Sequence, residues 1–243
     1  MSGGFIGLGA VVVLGVVGGM VVSDPRPEGR TGEPAEALTH AFQESVNTEA
    51  WEQTGAVQWT FAGRITHLWD RTRHLDRVQW GNNTVLIDLS TQKGRAWVGE
   101  EEVFDKKADR LVGKAWSYWC NDSFWLNPIA KMFDGGTTRS LVSLPEGEGL
   151  LISYSSGGVT PGDAYLWIPG EDGRPASWRM WVSIIPIGGV RTSWEGWQTL
   201  STGAMVSTSH RLGPVELALT EVAGAVTLSA LIPGDDPFAP LLQ

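Results

Sequence analysis

Cysteine and positive charge are both scarce in this chain, and each shortage argues against a class of protein. Cys120 is the only cysteine among 243 residues, so an internal disulfide cannot form. The chain has 18 Lys and Arg against 27 Asp and Glu, giving a formal net charge of −9. No basic stripe runs along the sequence, so we predict no nucleic-acid partner.

Catalytic and metal-binding motifs are also missing. There is no GxSxG elbow and no HExxH pair, so we predict a protein that is not an enzyme, without catalytic residues, cofactor or metal. His67 and His74 lie close in sequence to Asp70, Arg71 and Asp76. Their spacing fits no standard metal-ligand set. This region is therefore predicted to be an exposed polar turn.

Tryptophan is abundant instead, with 13 in 243 residues. Most of these tryptophans lie in segments that alternate like β-strands. Because a fully buried indole needs a partner for its N–H, a core rarely uses so many. Aromatic clusters on sheets are typical of an apolar pocket, a groove or a partner surface. The alternative interpretation is a β-protein with an aromatic core.

An uncharged apolar run occupies residues 5–22. Its length is near the lower limit for a membrane-spanning helix, and no Lys or Arg precedes it. It is predicted to be a transmembrane anchor or a cleaved signal peptide, and either would export the rest of the chain. No cysteine lies at the end of the run, so the chain lacks a lipoprotein acylation site there. Residues 23–32, rich in Pro, Gly and charge, are expected to be a linker.

Periodicity then changes from helical to extended. Leu38, Phe42 and Val46 share one apolar face, which predicts a helix over residues 34–48. From Gly55 the period is two, which predicts a long half-buried strand with a break near Gly63. Its apolar face is formed by Val57, Trp59, Phe61, Gly63, Ile65, His67 and Trp69.

Short strands follow as an antiparallel meander, which a predicted helix over residues 105–126 and a helical turn over 129–133 interrupt. The charged residues 100–102 and 105–107, around the start of that helix, are expected to lie in a solvated loop. Six or seven further strands lie between residues 140 and 226, and residues 233–243 form an irregular tail. A sheet of so many strands should curl. We therefore predict a mainly β-fold with α: an open, incomplete antiparallel β-barrel of about 10–11 strands, with a covering helix pair and a preceding N-terminal hydrophobic helix.

This order of elements resembles the superfamily of bacterial lipoprotein carriers (LolA/LolB-like proteins and related lipid-binding lipoproteins). The resemblance rests on the helix over 34–48, the strands after Gly55, and the insertion Ser-Phe-Trp-Leu-Asn-Pro at 123–128. It also rests on residues 161–168, 174–181 and the closing run from 194 to 210. It covers most of residues 33–230 and gives a LolA-like domain over 33–232. The receptor version is anchored through a cysteine that this chain lacks.

The resemblance implies binding of a lipid or of an acylated protein, and a further envelope protein is a candidate partner. It implies a periplasmic domain of the bacterial cell envelope, tethered to the inner membrane through residues 5–22, or secreted to the periplasm if residues 1–22 are cleaved. Residues 105–133 would act as a movable cover. The expected cavity is lined by Trp59, Phe61, Ile65, Trp80, Trp97, Trp116, Trp119, Phe124, Trp125, Trp167, Trp178 and Met180.

Two other functions remain open from the sequence. The first is a non-catalytic structural or interaction domain of an envelope complex, whose aromatic face is closed by its own helices or by a partner. The second is a carbohydrate-binding protein that uses tryptophans as stacking platforms. Glu195, between Trp194 and Trp197, is the one acidic candidate for that role, and a single carboxylate is insufficient for the usual glycosidase mechanism.

Overall fold

In a computed structural model of the protein, residues 23–145, 147–156 and 160–242 are described. They form a mainly β-protein with a few helices: two antiparallel sheets of nine and five strands and four α-helices. Neither sheet closes on itself within this part of the chain. The predicted N-terminal helix over residues 5–22 lies outside the described residues.

The elements follow one another along the chain with short connections. The helices are α1 (Glu33–Ser45), α2 (Thr48–Glu52), α3 (Asp105–Leu126) and α4 (Leu228–Leu231), with 3-10 turns at Ile129–Lys131 and Ala239–Leu242. The strands are β1 (Ala56–Phe61), β2 (Ile65–Asp70), β3 (Leu75–Trp80), β4 (Asn83–Asp88), β5 (Lys93–Val98), β6 (Glu101–Val103), β7 (Thr137–Leu144), β8 (Gly147–Tyr154), β9 (Ala164–Pro169), β10 (Pro175–Trp181), β11 (Val190–Ser193), β12 (Glu195–Thr199), β13 (Met205–Leu212) and β14 (Val215–Ala225).

The chain divides into two compact units. The first unit holds residues up to 45, 131–195 and 209–217, and the second holds residues 46–130, 196–208 and 218 onwards. The nine-stranded sheet has the order β12-β13-β14-β1-β2-β3-β4-β5-β6, and the five-stranded sheet has the order β11-β10-β9-β8-β7.

In the second unit, β1 to β6 form an up-and-down meander. A three-residue connection, residues 62–64, joins β1 to β2: Ala62 and Gly63 have φ of 51° and 63°, and the Arg64 N–H donates to the Phe61 carbonyl at 3.0 Å. This geometry suits the twist of the flanking strands. The register pairs Trp59 with His67 and Phe61 with Ile65, so the predicted apolar face is confirmed.

Helix α3 covers this apolar face of the meander and contacts β3, β4 and β5. It buries Val112, Ala115, Asp122 and Leu126, which recur at helical spacing. The opposite face carries a smaller core of Leu68, Leu75, Leu86 and Phe238, completed by α4 and the C-terminal turn.

In the first unit, the five-stranded sheet packs against α1, which contacts β7 and β8. Residues 23–30 are docked on the same unit. Arg30 forms a β-bridge with Leu141, with N–H···O distances of 2.9 and 2.8 Å, and so extends β7. The Arg139 guanidinium of β7 is paired with Glu36 of α1 at 2.7 Å.

The predicted strand number is wrong, because the described residues contain fourteen strands. The break near Gly63 divides one predicted strand, and Trp194 divides another between β11 and β12. Glu101–Val103 forms a short strand where a solvated loop was predicted. The two divisions take only three residues and one residue, so the alternating pattern hardly changes at either of them.

Both predicted helices exist. Helix α3 has the predicted bounds, and the turn at Ile129–Lys131 follows it. The first helix ends at Ser45 instead of residue 48, because Asn47 takes a left-handed φ of 54° and caps α2 by accepting from the Ala50 N–H at 3.2 Å. Among the described helices, none is both long and apolar enough to cross a membrane.

Candidate functional site

The predicted cavity residues fall into separate groups, one in each unit. Trp167, Trp178 and Met180 belong to the first unit. The second unit holds Trp59, Phe61, Ile65, Trp80, Trp97, Trp116, Trp119, Phe124 and Trp125.

The second-unit aromatic layer lies on the apolar face of the meander. The Trp59 ring stacks on the His67 ring, with centroids 4.3 Å apart and 9° between planes. Trp69 meets Trp119 of α3 edge-on at 5.4 Å, and Trp119 stacks on Trp116 at 5.2 Å. Trp59 is fully buried, whereas Trp69, Trp116 and Trp119 are half-buried. Indoles of sheet and helix are therefore in direct contact.

The other predicted residues of this unit surround that layer unevenly. Phe61 and Ile65 are 1% exposed and pair across β1 and β2 on the same face. Trp80 lies next to Ile65 in the register and meets Tyr118 of α3 at 5.3 Å. Trp97 does not join them, because it packs on the Leu68 core of the opposite face. Phe124 and Trp125 are half-buried at the end of α3.

A buried polar cluster connects the sheet to α3 within this layer. His67 Nδ1 lies 2.8 Å from Asp76 Oδ2, and His67 Nε2 lies 3.0 Å from Asp122 Oδ2. All three residues have no exposed surface. Asn121 Nδ2 donates to the other oxygen of Asp122 at 2.7 Å. The prediction of an exposed polar turn is therefore wrong for His67 and Asp76, and also for Asp70, which is 4% exposed.

The electrostatics of the cluster favour the protonated form of His67. Burial by itself would lower the pKa of His67, but the charge of Asp76 and the hydrogen bonds to Asp122 and Asp76 outweigh burial and raise that pKa to about 9. Burial also raises the pKa of Asp122, against the hydrogen bonds from His67 and Asn121. His67, between two carboxyl groups, is therefore protonated at neutral pH. Burial disfavours the charged form of Asp122.

Three indole N–H groups in the same layer have no acceptor among the described residues. They are the Nε1 atoms of Trp59, Trp69 and Trp119, and each is buried. A buried donor without an acceptor costs about 1–3 kcal/mol. The layer can therefore donate hydrogen bonds to an oxygen atom brought between helix and sheet.

Arg71 stands at one end of this layer. Its guanidinium lies 4.3 Å from the centre of the Trp51 ring and 5.3 Å from that of Trp69, and it donates to the carbonyls of Trp51 and Thr54. Burial lowers the pKa of Arg71 to about 10. The side chain thus closes the C-terminal end of α2 while it shields Trp69.

The first-unit aromatic cluster is a continuous core. The ring centroid of Trp178 lies 4.6 Å from that of Tyr165 and 4.8 Å from that of Trp167. The centroids of Trp167 and Trp194 are 5.0 Å apart. Trp167 and Trp178 are fully buried, and Met180 is 3% exposed. Burial raises the pKa of Tyr165. These residues support the five-stranded sheet.

A surface cleft of about 360 Å³ lies elsewhere in the second unit. Arg73 on its wall is paired with Asp236 at 2.6 Å and with Asp70 at 2.7 Å. None of the predicted cavity residues lines it. In the described part of the chain, no group of three His, Cys, Asp or Glu side chains has the geometry to hold a metal ion.

Sequence reasoning missed the polar cluster, although a signal was present. His67 falls on the same face of the alternating pattern as Trp59, and a histidine on an apolar face needs buried partners. Asp122 falls at the buried spacing of α3, seven residues after Ala115. The chain matches no protein-family model and no curated protein.

Proposed function

We propose that the second unit binds an apolar ligand, a lipid or the acyl chain of a modified protein, between α3 and the aromatic face of the meander. The observation that carries the proposal is the direct contact of half-buried indoles across this layer, Trp119 on α3 with Trp69 on β2. A helix that covers an aromatic sheet face through half-exposed rings can exchange those ring contacts for contacts with an acyl chain.

Energetics support this ligand class. Each buried CH₂ of an acyl chain contributes about 0.8 kcal/mol before ordering costs. The N–H groups of Trp59, Trp69 and Trp119 are suited to the carbonyl or carboxylate at the head of such a chain. Binding requires no catalytic residue and no cofactor.

The wider setting is part of the same proposal. We include the LolA/LolB-like relationship, the open-barrel arrangement and the movable cover over residues 105–133. The location is the cell envelope, with a periplasmic domain tethered through residues 5–22 or released if that segment is cleaved. An acylated protein or an envelope protein would be the partner.

The test compares two equivalent tryptophan substitutions in the full chain. Titration with a fluorescent fatty acid should show weaker binding by Trp119→Ala, whose ring lies in the aromatic layer. Trp97→Ala should bind like the wild type, because Trp97 lies on the opposite face of the same sheet. Native mass spectrometry of protein purified from membranes should show a co-purifying lipid.

Equal affinities in the two variants, with both folded by near-ultraviolet circular dichroism, would refute this site. A clean mass without bound lipid and no fatty-acid binding would refute the ligand class.

A second candidate is a structural or interaction domain without a ligand. It is favoured by the burial of Trp59, Trp167 and Trp178, none of which has exposed surface. Such a domain would keep the same stability with and without lipid. The carbohydrate-binding alternative has less support, since a stacking platform needs an exposed ring and Trp194 is 2% exposed.

A further inference from the structure

The loop between β10 and β11, residues 182–189, is unusually apolar for a surface segment. Its sequence is Val-Ser-Ile-Ile-Pro-Ile-Gly-Gly, with no charged residue between Arg179 and Arg191. Ile184 is 57% exposed, and Pro186 is also exposed. Other large exposed apolar residues, such as Phe104 and Val226, have charged or polar neighbours in sequence. An exposed apolar run on a folded protein marks an interaction site.

The base of this loop is held firmly. The Ile185 N–H donates to the Val182 carbonyl at 3.1 Å, and the Gly189 N–H donates to the Met180 carbonyl at 3.0 Å. The buried carboxylate of Asp163 accepts from the Ser183 N–H at 2.9 Å. Ile184 is therefore presented by an ordered turn.

The chain segment that follows the apolar run of residues 5–22 is attached to the base of the same loop. The Asp24 N–H donates to the Gly188 carbonyl at 3.1 Å, and the Gly188 N–H donates to Ser23 Oγ at 3.0 Å. Trp181 Nε1 donates to the Asp24 carbonyl at 2.9 Å. A Cβ at Gly188 would lie 2.7 Å from that carbonyl oxygen, so glycine permits this close approach.

Ser23 directly follows Val22, the last residue of the apolar run. No free linker therefore separates the run from the loop. If residues 5–22 enter a bilayer, the loop lies at the level where they leave it.

The residues around the loop suit a membrane interface. Arg179 and Arg191 lie opposite each other in the β10–β11 register, just outside the apolar segment. Trp181 stands between them and the loop, half-buried. Tryptophan is enriched at the level of lipid headgroups, and each arginine near an anionic leaflet is attracted to its surface.

We propose that residues 182–189 form a membrane-contact loop that inserts Ile184 and its neighbours into the headgroup region of a lipid bilayer. The bilayer is the one entered by residues 5–22. This contact rests on the proposed tethering through residues 5–22, but it goes beyond ligand binding by the second unit and does not require it.

The test places an environment-sensitive nitrobenzoxadiazole label on the full chain in vesicles of phosphatidylcholine and phosphatidylglycerol. Cys120 is first replaced by Ala, and single cysteines are introduced as Ile184→Cys or Pro186→Cys. The matched control is Glu171→Cys, which is exposed in the turn at the other end of β10. Flotation with the vesicles separately reports whether the chain is anchored.

We expect blue-shifted emission at positions 184 and 186 that lipid-borne doxyl groups quench, and neither effect at position 171. Equal, unquenched emission at all three positions on floating vesicles would overturn the proposal, as would a chain that does not float. A blue shift at 184 without vesicles would show that the loop is covered by protein, either a second copy or residues 5–22, and would also overturn it. Fatty-acid titration of the same labelled chains tests ligand binding independently.

Discussion

At the scale of single residues, His67 is the group whose protonation is most tightly coupled to the fold. Its two ring nitrogens are hydrogen-bonded to Asp76 and Asp122, and its ring stacks on that of Trp59. In the unfolded chain, its pKa returns to about 6.5. The raised pKa in the folded protein, about 9, therefore links folding to pH.

The first prediction concerns this linkage. Because the folded pKa is raised, the stabilisation from His67 is fully present below pH 6.5 and is lost as pH rises through about 9. The shift corresponds to a free energy on the order of 3 kcal/mol. Urea unfolding measured from pH 6 to 10 should show this fall. The control, His74→Asn, should retain it, because His74 is exposed.

The second prediction concerns the two carboxylates beside His67. Asp76→Asn should lower the pKa of His67 more than Asp122→Asn, because the charge of Asp76 is the largest influence that raises it. Histidine proton titration by NMR measures the shift. An unaltered His67 pKa in both variants would mean that the carboxylates do not govern it.

The third prediction concerns the β1–β2 turn. Ala62 holds a left-handed φ of 51°, which Asn tolerates better than Ala. Ala62→Asn should therefore raise the free energy of unfolding by about 0.5–1 kcal/mol. The same change at Ala108, inside α3, should lower it by a few tenths of a kcal/mol. Parallel urea titrations compare the two, and destabilisation by Ala62→Asn would contradict the turn assignment.

At the scale of elements, α3 is attached unevenly along its length. Asp105 begins it with a left-handed φ of 54°, and Phe104 before it makes no side-chain cap. The first turns are mostly exposed, whereas Asp122 and Leu126 near the C-terminal end are fully buried. The helix is therefore held at the end that contacts His67 and is loosely held at its start.

The fourth prediction follows from this uneven attachment. If α3 is a cover, hydrogen exchange in residues 105–118 should be faster than in β1 to β4 and should slow when a fatty acid binds. Residues 119–126 should exchange slowly in both states, since Asp122 is bonded to His67. Exchange in the whole helix as slow as in the central strands, with and without lipid, would show a fixed helix.

Sequence patterns could predict the elements better than their partners. Trp59, Phe61 and Ile65 were assigned to one face correctly, because period-two alternation fixes the face of a strand. The bounds of α3 were also predictable from its flanking proline and its helical spacing. Trp97 lies on the face opposite to Trp59, where it packs on the cluster that includes Phe238. The pattern of β5 does not reveal that this tail residue covers that face. The cluster at His67 needed the long-range contact with Asp122, which local periodicity does not contain.

At the scale of the whole molecule, residues 23–32 act as part of the first unit. The Arg30–Leu141 bridge adds to the sheet at the edge of β7. Asp24 is hydrogen-bonded to Gly188 and Trp181. The sequence predicted a linker here because Pro, Gly and charge are typical of linkers. Such residues also suit a segment that runs extended along another part of the chain.

The fifth prediction uses this segment. A chain that begins at Ser23 should be more stable than one that begins at Glu33, because the shorter chain loses both hydrogen bonds to Leu141 and leaves the β7 edge unpaired. Thermal unfolding and sedimentation of the two chains compare stability and aggregation. Equal midpoints and equal solubility would show that the segment contributes nothing to the unit.

The pairing of β1 with β14 has a consequence in time. Ala56 pairs with Ala225, and Phe61 pairs with Leu219. One of the two neighbours of β1 in the sheet is therefore β14, the last of the described strands along the chain. During synthesis, β1 therefore keeps an open hydrogen-bonding edge while most of the chain is still being made. A chain halted before residue 215 would present that edge to other chains, and its aggregation would depend on how far β14 has been translated.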